Sequence, residues 1–316
     1  MLVAGPNLTT DRILRIDELR PAEVLRFSNA TVGPGGKGVN VLRLAREMGF
    51  PATLVALAPG RTGGAVVGLL GDEGLAVVPV TTRGEVRAAS IVIEGSGRVT
   101  VLNEPGPPVS PAEWTAYEHA MGEHLPGQTF LVCIGSAPPG TPPDAYARLV
   151  RMARDRGARS VVDASGPKLE AALEAGPDIV TPNVAEVEGM LRGAAGLPVE
   201  EAGSGLRERA AEAGAELIAR GAGMAVVTVG RAGAAVVTAS DRWGLEAPPV
   251  EVRNPIGAGD ALVSGLVGCL ERGDDLRSAL SMALGCAGAS VETEVPGLVH
   301  RRRVESLAAQ VGWIRD

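Results

Sequence analysis

Short, continuous apolar runs recur along this chain and are separated by longer amphipathic stretches. The runs are TLVALA (53–58), TFLVCIG (129–135), SVVDAS (160–165), DIVTPN (178–183) and MAVVTVG (224–230). Helix-like segments fall at 39–49, 143–157, 184–191 and 206–221. A strand apolar on both faces must be covered on both faces. The alternation therefore predicts an α/β chain with a mainly parallel sheet between helices. In such sheets binding sites gather at the carboxyl ends of the strands. Polar motifs do follow the runs directly: IGSAPPG, DASG, TPNVAE and TVGRAG.

Two segments, 14–27 and 80–102, look like β structure without covering helices. RAASIVIEG and GRVTVLNEPG suggest a hairpin around 94–97, and together the two segments suggest a small appended sheet. The Gly/Ala-rich stretch 193–205 reads as a surface loop, and VHRRRVES as a solvated helix face. With 316 residues the chain has the length of one large domain or two ordinary ones.

Composition narrows the function. A net charge of −7 provides no basic footprint for nucleic acid or an anionic membrane. Cys133, Cys269 and Cys286 sit in apolar surroundings and read as buried thiols of a reducing compartment. His119, His124 and His300 are too scattered for a metal cluster, the first two falling on a polar helix-like run. Neither a signal peptide nor a membrane span is expected, so the cytoplasm is the expected location. Of 30 basic residues only Lys37 and Lys168 are lysine, which draws notice to the lysine inside GPGGKG.

Two glycine-rich motifs open helices. GPGGKGVNVLRLAREMG (33–49) is neither a Walker A loop nor GxGxxG, but Val39, Leu42, Ala45 and Met48 have helical spacing and Gly49 is a natural stop. In NPIGAGDALVSG (254–265), Gly257 and Gly259 are expected to turn the backbone so that successive amides point one way. Asp260 then has two readings, a helix cap or a carboxylate beside bound phosphate.

These two motifs, taken with GEVR (84–87), TVLNEPGP (100–107), GSAPPG (135–140), VVDASG (161–166), TPNVAEV (181–187) and TVGRAGA (228–234) in that order, resemble the PfkB-type, ribokinase-like sugar kinases. GEVR, NEPGP and GSAPPG most resemble the branch containing 1-phosphofructokinase and tagatose-6-phosphate kinase. The resemblance implies a single ribokinase-like domain over residues 1–316, a three-layer fold with a mostly parallel central sheet and a small β-sheet lid from about 12–30 and 80–104. It implies transfer of phosphate from ATP to a hexose phosphate: fructose 1-phosphate, fructose 6-phosphate or tagatose 6-phosphate.

By the same resemblance Asp260 is the general base, and the amides of Gly257, Ala258 and Gly259 form an anion hole. Asp11, Arg26, Gly35, Gly36, Lys37, Asn40, Arg87, Asn103 and Ser136 surround the sugar phosphate. Asn183, Thr228, Gly230, Gly233 and Gly288 contact the nucleotide, and Asn183 with Glu186 organises Mg2+ through water. A homodimer through the lid is implied. Three features depart from the pattern: Thr181 stands where many relatives have lysine, Gly288 where some have asparagine, and GPNLTTD lacks the usual proline after the asparagine. A kinase of an unphosphorylated sugar or nucleoside, or a binding regulator on the same scaffold, are the alternatives.

Overall fold

A computed structural model describes residues 1–28, 30–193 and 205–315. The expected 193–205 loop lies, apart from its two end residues, outside the described residues. The chain opens with β1 (Leu2–Asn7), β2 (Thr9–Ile16), β3 (Ala30–Gly35), α1 (Lys37–Met48), β4 (Thr53–Pro59), α2 (Gly60–Asp72) and β5 (Val77–Thr82). Then come β6 (Arg87–Glu94), β7 (Val99–Asn103), α3 (Pro111–His124), β8 (Phe130–Ile134), α4 (Ala145–Asp155), β9 (Arg159–Asp163) and α5 (Pro167–Glu174). The second half holds β10 (Ile179–Val180), α6 (Val184–Leu191), α7 (Leu206–Ala219), β11 (Met224–Thr228), β12 (Ala234–Thr238) and β13 (Arg242–Glu246). It ends with α8 (Ala258–Arg272), α9 (Leu276–Val291), α10 (Arg301–Ala308) and β14 (Gly312–Arg315).

The large sheet runs β14-β13-β12-β11-β10-β9-β8-β1-β4-β5. It is parallel from β11 to β5 and antiparallel from β11 to β14. Strand alternation feeds two cores. In β8, Phe130, Val132 and Ile134 pack with α1, α2 and α8–α10, while Leu131 and Cys133 pack with α3–α7. That is the expected three-layer arrangement. All three cysteines are buried free thiols, and His119 and His124 are exposed on α3. Among the described residues no helix is long and apolar enough to cross a membrane.

The second sheet has the order β3-β2-β6-β7, with β2 parallel to β6 and the other pairs antiparallel. The hairpin at 94–97 is present as the β6–β7 turn. The limits of the small sheet differ from the expected 12–30 and 80–104. It begins at Thr9 and includes Ala30–Gly35, because β2 pairs from Thr9 to Leu14 with β3 and along its whole length with β6. Residues 80–82 belong to β5 of the large sheet, where they continue its pairing with β4. Ile13, Ile91 and Ile93 form a separate apolar cluster on one face, and Val99 and Ile256 pack against it.

Candidate active site

Chain order reverses at β1: β4 and β5 extend the sheet to one side, β8 to β11 to the other. Loops leaving strands on either side of such a point diverge and open a crevice. A cleft of about 390 Å³ lies there, bordered by Gly5 and Asn7 from β1, Gly135 and Ser136 after β8, and Ser165 and Lys168 after β9. Gly36, Lys37, Arg87, Asn103 and Glu186 complete much of its wall. A larger cavity, about 480 Å³, lies beside Glu251, Arg253, Ala289 and Arg303. It contains none of the site residues expected from sequence, and Arg303 is neutralised there by Glu292 at 2.6 Å.

Asp260 is buried, 3% exposed, in the first turn of α8. It does not cap that helix. The N-cap is Gly257, with φ 81°, and α8 has no side-chain cap. The first-turn amides are thus left without an intrahelical acceptor. Gly257 is required by its positive φ and by Pro296, whose Cβ would lie 2.6 Å from an added Cβ. Gly259 plays a different part from the one expected. It has no positive φ, and an added Cβ would meet only the Asp163 carboxylate at 3.7 Å.

The Asp260 carboxylate accepts a hydrogen bond from Asn40 Nδ2 at 2.8 Å. Burial pushes its pKa up to about 7, opposed by Lys37 and the Asn40 hydrogen bond and assisted by Asp163 and Asp11. Lys37 Nζ donates to Asp163 Oδ1 at 2.9 Å. Burial works against the charge on Lys37, but Asp163, Asp260 and Glu186 outweigh it and hold its pKa above the ordinary value. Asp163, 2% exposed at the end of β9, received no role from sequence. Its signal was a lone carboxylate closing an apolar strand. Asn7 and Lys168, both on the cleft wall, were also missed.

The small sheet supplies the other end of the cleft. Its register pairs Thr9 with Arg87, Asp11 with Ala89 and Ala89 with Asn103. With side chains alternating along each strand, Asp11, Arg87 and Asn103 share the face of the Ile13–Ile91 cluster. Arg87 donates to the carbonyls of Glu104 (3.2 Å) and Asn7 (3.5 Å), and burial lowers its pKa against the pull of Asp11 and Glu104. Burial raises the pKa of Asp11, opposed first by Arg87. The Asp11 carboxyl lies over Gly35, where a Cβ would stand 2.1 Å from it. Gly36 opens α1 with φ 109° and no side-chain cap. Asn7 Nδ2 donates to Ser136 Oγ at 3.0 Å. Buried side-chain polar atoms lacking a partner among the described residues are Asn40 Oδ1, Arg87 Nε and Thr181 Oγ1. Such orphans are rare and call for a ligand or another explanation, and all three lie on residues of this region.

Asn183 and Glu186 form a capping box for α6: Glu186 N donates to Asn183 Oδ1 at 2.8 Å and Asn183 N to Glu186 Oε2 at 2.9 Å. Among the described residues no group of three His, Cys, Asp or Glu is placed to hold a metal ion. The donor set fits Mg2+ only as an ion carried by phosphate and water, with Glu186 on the cleft wall. Thr228 bridges to Asn183 at the end of β11. Gly230 (φ 53°) and Gly233 (φ 103°) follow, and a Cβ on Gly233 would strike the Leu245 carbonyl. Of the expected residues, Gly36, Lys37, Arg87, Asn103, Ser136 and Glu186 border the cleft directly, while two others make none of the contacts described above. Arg26 is exposed, beside Arg15 and Phe27 in a separate surface cavity. Gly288 is buried in α9, closely covered by Leu307, Val250 and Pro248.

Comparison with known proteins agrees with this architecture. The family of pfkB carbohydrate kinases matches residues 7–298. The chain is 32% identical over 322 residues to the 1-phosphofructokinase of Rhodobacter capsulatus, covering 96% of this chain and 94% of that one. With the 1-phosphofructokinase of Escherichia coli (strain K12) it shares 28% identity over 299 residues, covering 93% and 91%. It superposes on phosphofructokinase-2 from Escherichia coli in complex with fructose-6-phosphate with a TM-score of 0.85, at 27% identity and 98% coverage of both chains. The match runs from the end of β1 to the loop before α10, and the chain therefore belongs to the pfkB family of carbohydrate kinases.

Proposed function

We propose that this protein transfers the γ-phosphoryl group of ATP to a hydroxyl of a hexose phosphate. The observation that carries the reading is the buried Asp260 carboxylate, poised near neutrality beside an uncapped glycine-started helix. A sugar hydroxyl is a weak nucleophile and needs a base within reach. In the proposed step the hydroxyl oxygen forms a bond to the γ-phosphorus. The bond from that phosphorus to the β–γ bridging oxygen breaks, ADP leaves, and the hydroxyl proton passes to Asp260. The amides of Gly257, Ala258 and Gly259 stabilise charge on the transferred group. Bound Mg2+ would neutralise phosphate charge, held through water by Asn183 and Glu186.

The acceptor's own phosphate is assigned to Arg87, with Asn103, Ser136 and Lys37 around it. An arginine fork suits phosphate oxygens, and its buried, unpartnered Nε supports that assignment. Asp11 and Asn40 are assigned to sugar hydroxyls. Among fructose 1-phosphate, fructose 6-phosphate and tagatose 6-phosphate, the names of the curated relatives favour the first. The small sheet acts as a lid that limits water access, and its outer face forms a homodimer contact.

Steady-state kinetics with the three sugar phosphates and free fructose test this reading. Turnover is expected with at least one sugar phosphate and far less with fructose. Arg87→Ala should lower kcat/KM for the sugar phosphate by roughly 10- to 100-fold, the worth of a charged hydrogen bond, and barely affect residual use of fructose. Equal losses on both would remove Arg87 from the phosphate site.

A further inference from the structure

Both lysines of this arginine-rich chain stand in the first turn of a helix that opens onto the same cleft. Lys37 begins α1 and Lys168 is the second residue of α5. A cation in the first turn opposes the helix dipole, so local helix stability favours neither. First-turn amides joined by a cation are, however, a combination that holds an anion. The helix starts agree: Gly36 and Gly166 have positive φ, and neither helix has a side-chain cap.

The two lysines differ in what already neutralises them. Lys37 is bridged to Asp163 at 2.9 Å. Lys168 makes no hydrogen bond or ion pair with any described residue. Glu170, the acidic residue in the same first turn, lies 3.5 Å from Arg220 instead. Lys168 thus brings to the cleft wall a half-buried positive charge with no ion-pair partner among the described residues.

Sheet order places that charge between two groups of residues. The α5 helix follows β9, which lies between β8 and β10. On the β8 and β1 side stand Ser136 and Asn7, with Arg87 and Asn103 above them. On the other side stand Asn183 and Glu186 after β10, then Thr228 at the end of β11. Thr181, directly after β10, is buried and uncharged, so that strand end offers no cation of its own. From this placement we propose that Lys168 binds the terminal phosphate of the nucleotide, the group in transfer, and not the phosphate of the acceptor. The proposal rests on the kinase reading above.

The test uses the full chain and the variants Lys168→Met and Lys168→Arg. Isothermal titration with magnesium measures AMP and the β,γ-imido analogue of ATP, and steady-state kinetics use the best sugar phosphate. Lys168→Met should weaken the triphosphate analogue by roughly 10-fold or more and leave AMP affinity within about twofold. It should lower kcat while leaving KM for the sugar phosphate nearly unchanged, and Lys168→Arg should restore part of both losses. Unchanged analogue affinity and kcat would make Lys168 a solvated surface charge. A loss confined to KM for the sugar phosphate would assign it to the acceptor. Either result overturns the proposal. Wild-type protein that neither binds the analogue nor turns over would overturn the kinase reading as well. An active wild type matched by Lys168→Met would overturn the Lys168 assignment alone.

Discussion

At the scale of single residues, the central feature is a carboxylate made expensive to ionise. Burial is the main cause of the elevated Asp260 pKa, and Lys37 and Asn40 recover only part of the cost. In its proposed role as general base Asp260 must be deprotonated, so kcat/KM should fall below about pH 7 as it takes up a proton. Asp163→Asn removes a neighbouring negative charge and releases Lys37 toward Asp260. Both effects lower the Asp260 pKa, so the acidic limb should move down by about one pH unit. A limb that stays in place would dissociate it from Asp260. The same elevation has a consequence for stability. The folded pKa lies above the ordinary 3.8, so ionising Asp260 opposes folding. That opposition is absent below about pH 4, grows up to about pH 7 and is complete above it. Asp260→Asn should therefore melt a few degrees higher than wild type at pH 8, with the difference vanishing near pH 4. Its turnover should drop by roughly 10²- to 10⁴-fold, with nucleotide binding retained. Near-normal turnover would exclude Asp260 as the base.

At the scale of elements, two kinds of helix start stand out. The α3, α6 and α9 helices open on Ser110, Asn183 and Asp275, whose side chains accept a first-turn amide. The α1, α5, α7 and α8 helices open on Gly36, Gly166, Gly205 and Gly257 with positive φ and no such cap, and the first and second of these border the cleft through Gly36, Lys37 and Lys168. The capped starts satisfy their own backbone, and the glycine starts of α1, α5 and α8 leave amides for a ligand. Gly257→Ala tests this. Forcing alanine into the left-handed region costs about 1–2 kcal/mol, and the collision with Pro296 adds to it. The new Cβ would also press on Asn40 Nδ2 at 3.3 Å, the donor to Asp260. Urea melts should show the destabilisation and kinetics a large loss of kcat. Gly49→Ala is the control: its φ is 74°, with nothing within 4 Å of an added Cβ. It should cost stability and leave kcat near wild type. Equal activity in the two variants would deny the α8 start its role.

At the scale of the whole molecule, the small sheet has one face toward the cleft and one outward. Register aligns Val32, Arg12, Ser90 and Leu102 in a row across the outward face. Val32 is 58% and Leu102 63% exposed, and Val24 (82%) and Phe27 (40%) are exposed in the segment after β2. An apolar patch of this kind on a protein surface marks an association surface, which supports the proposed lid-to-lid dimer. Light scattering should give twice the chain mass, and Leu102→Asp with Val32→Asp should halve it. A monomeric wild type at micromolar concentration would dispose of the dimer.

Much was legible along the chain because its causes are local. Apolar runs named β4, β8, β9, β10 and β11, and helical spacing named α1 and α6, since burial on both faces or one face leaves a period in the residues themselves. The glycines beside Lys37 and Asp260 announced two helix starts because backbone freedom is a property of the residue. What folding alone revealed is which charges meet. Lys37 finds Asp163 across 126 residues because α1 and the end of β9 both reach the cleft beside β1. Lys168 arrives at the same wall, and no short motif could announce it. Gly288 is buried under Val250 and Pro248, and Arg26 is held away from the cleft, though both stood in recognisable stretches. Spacing along a strand or helix is written in the order of residues, whereas electrostatic partnership depends on distances that sheet order and packing set.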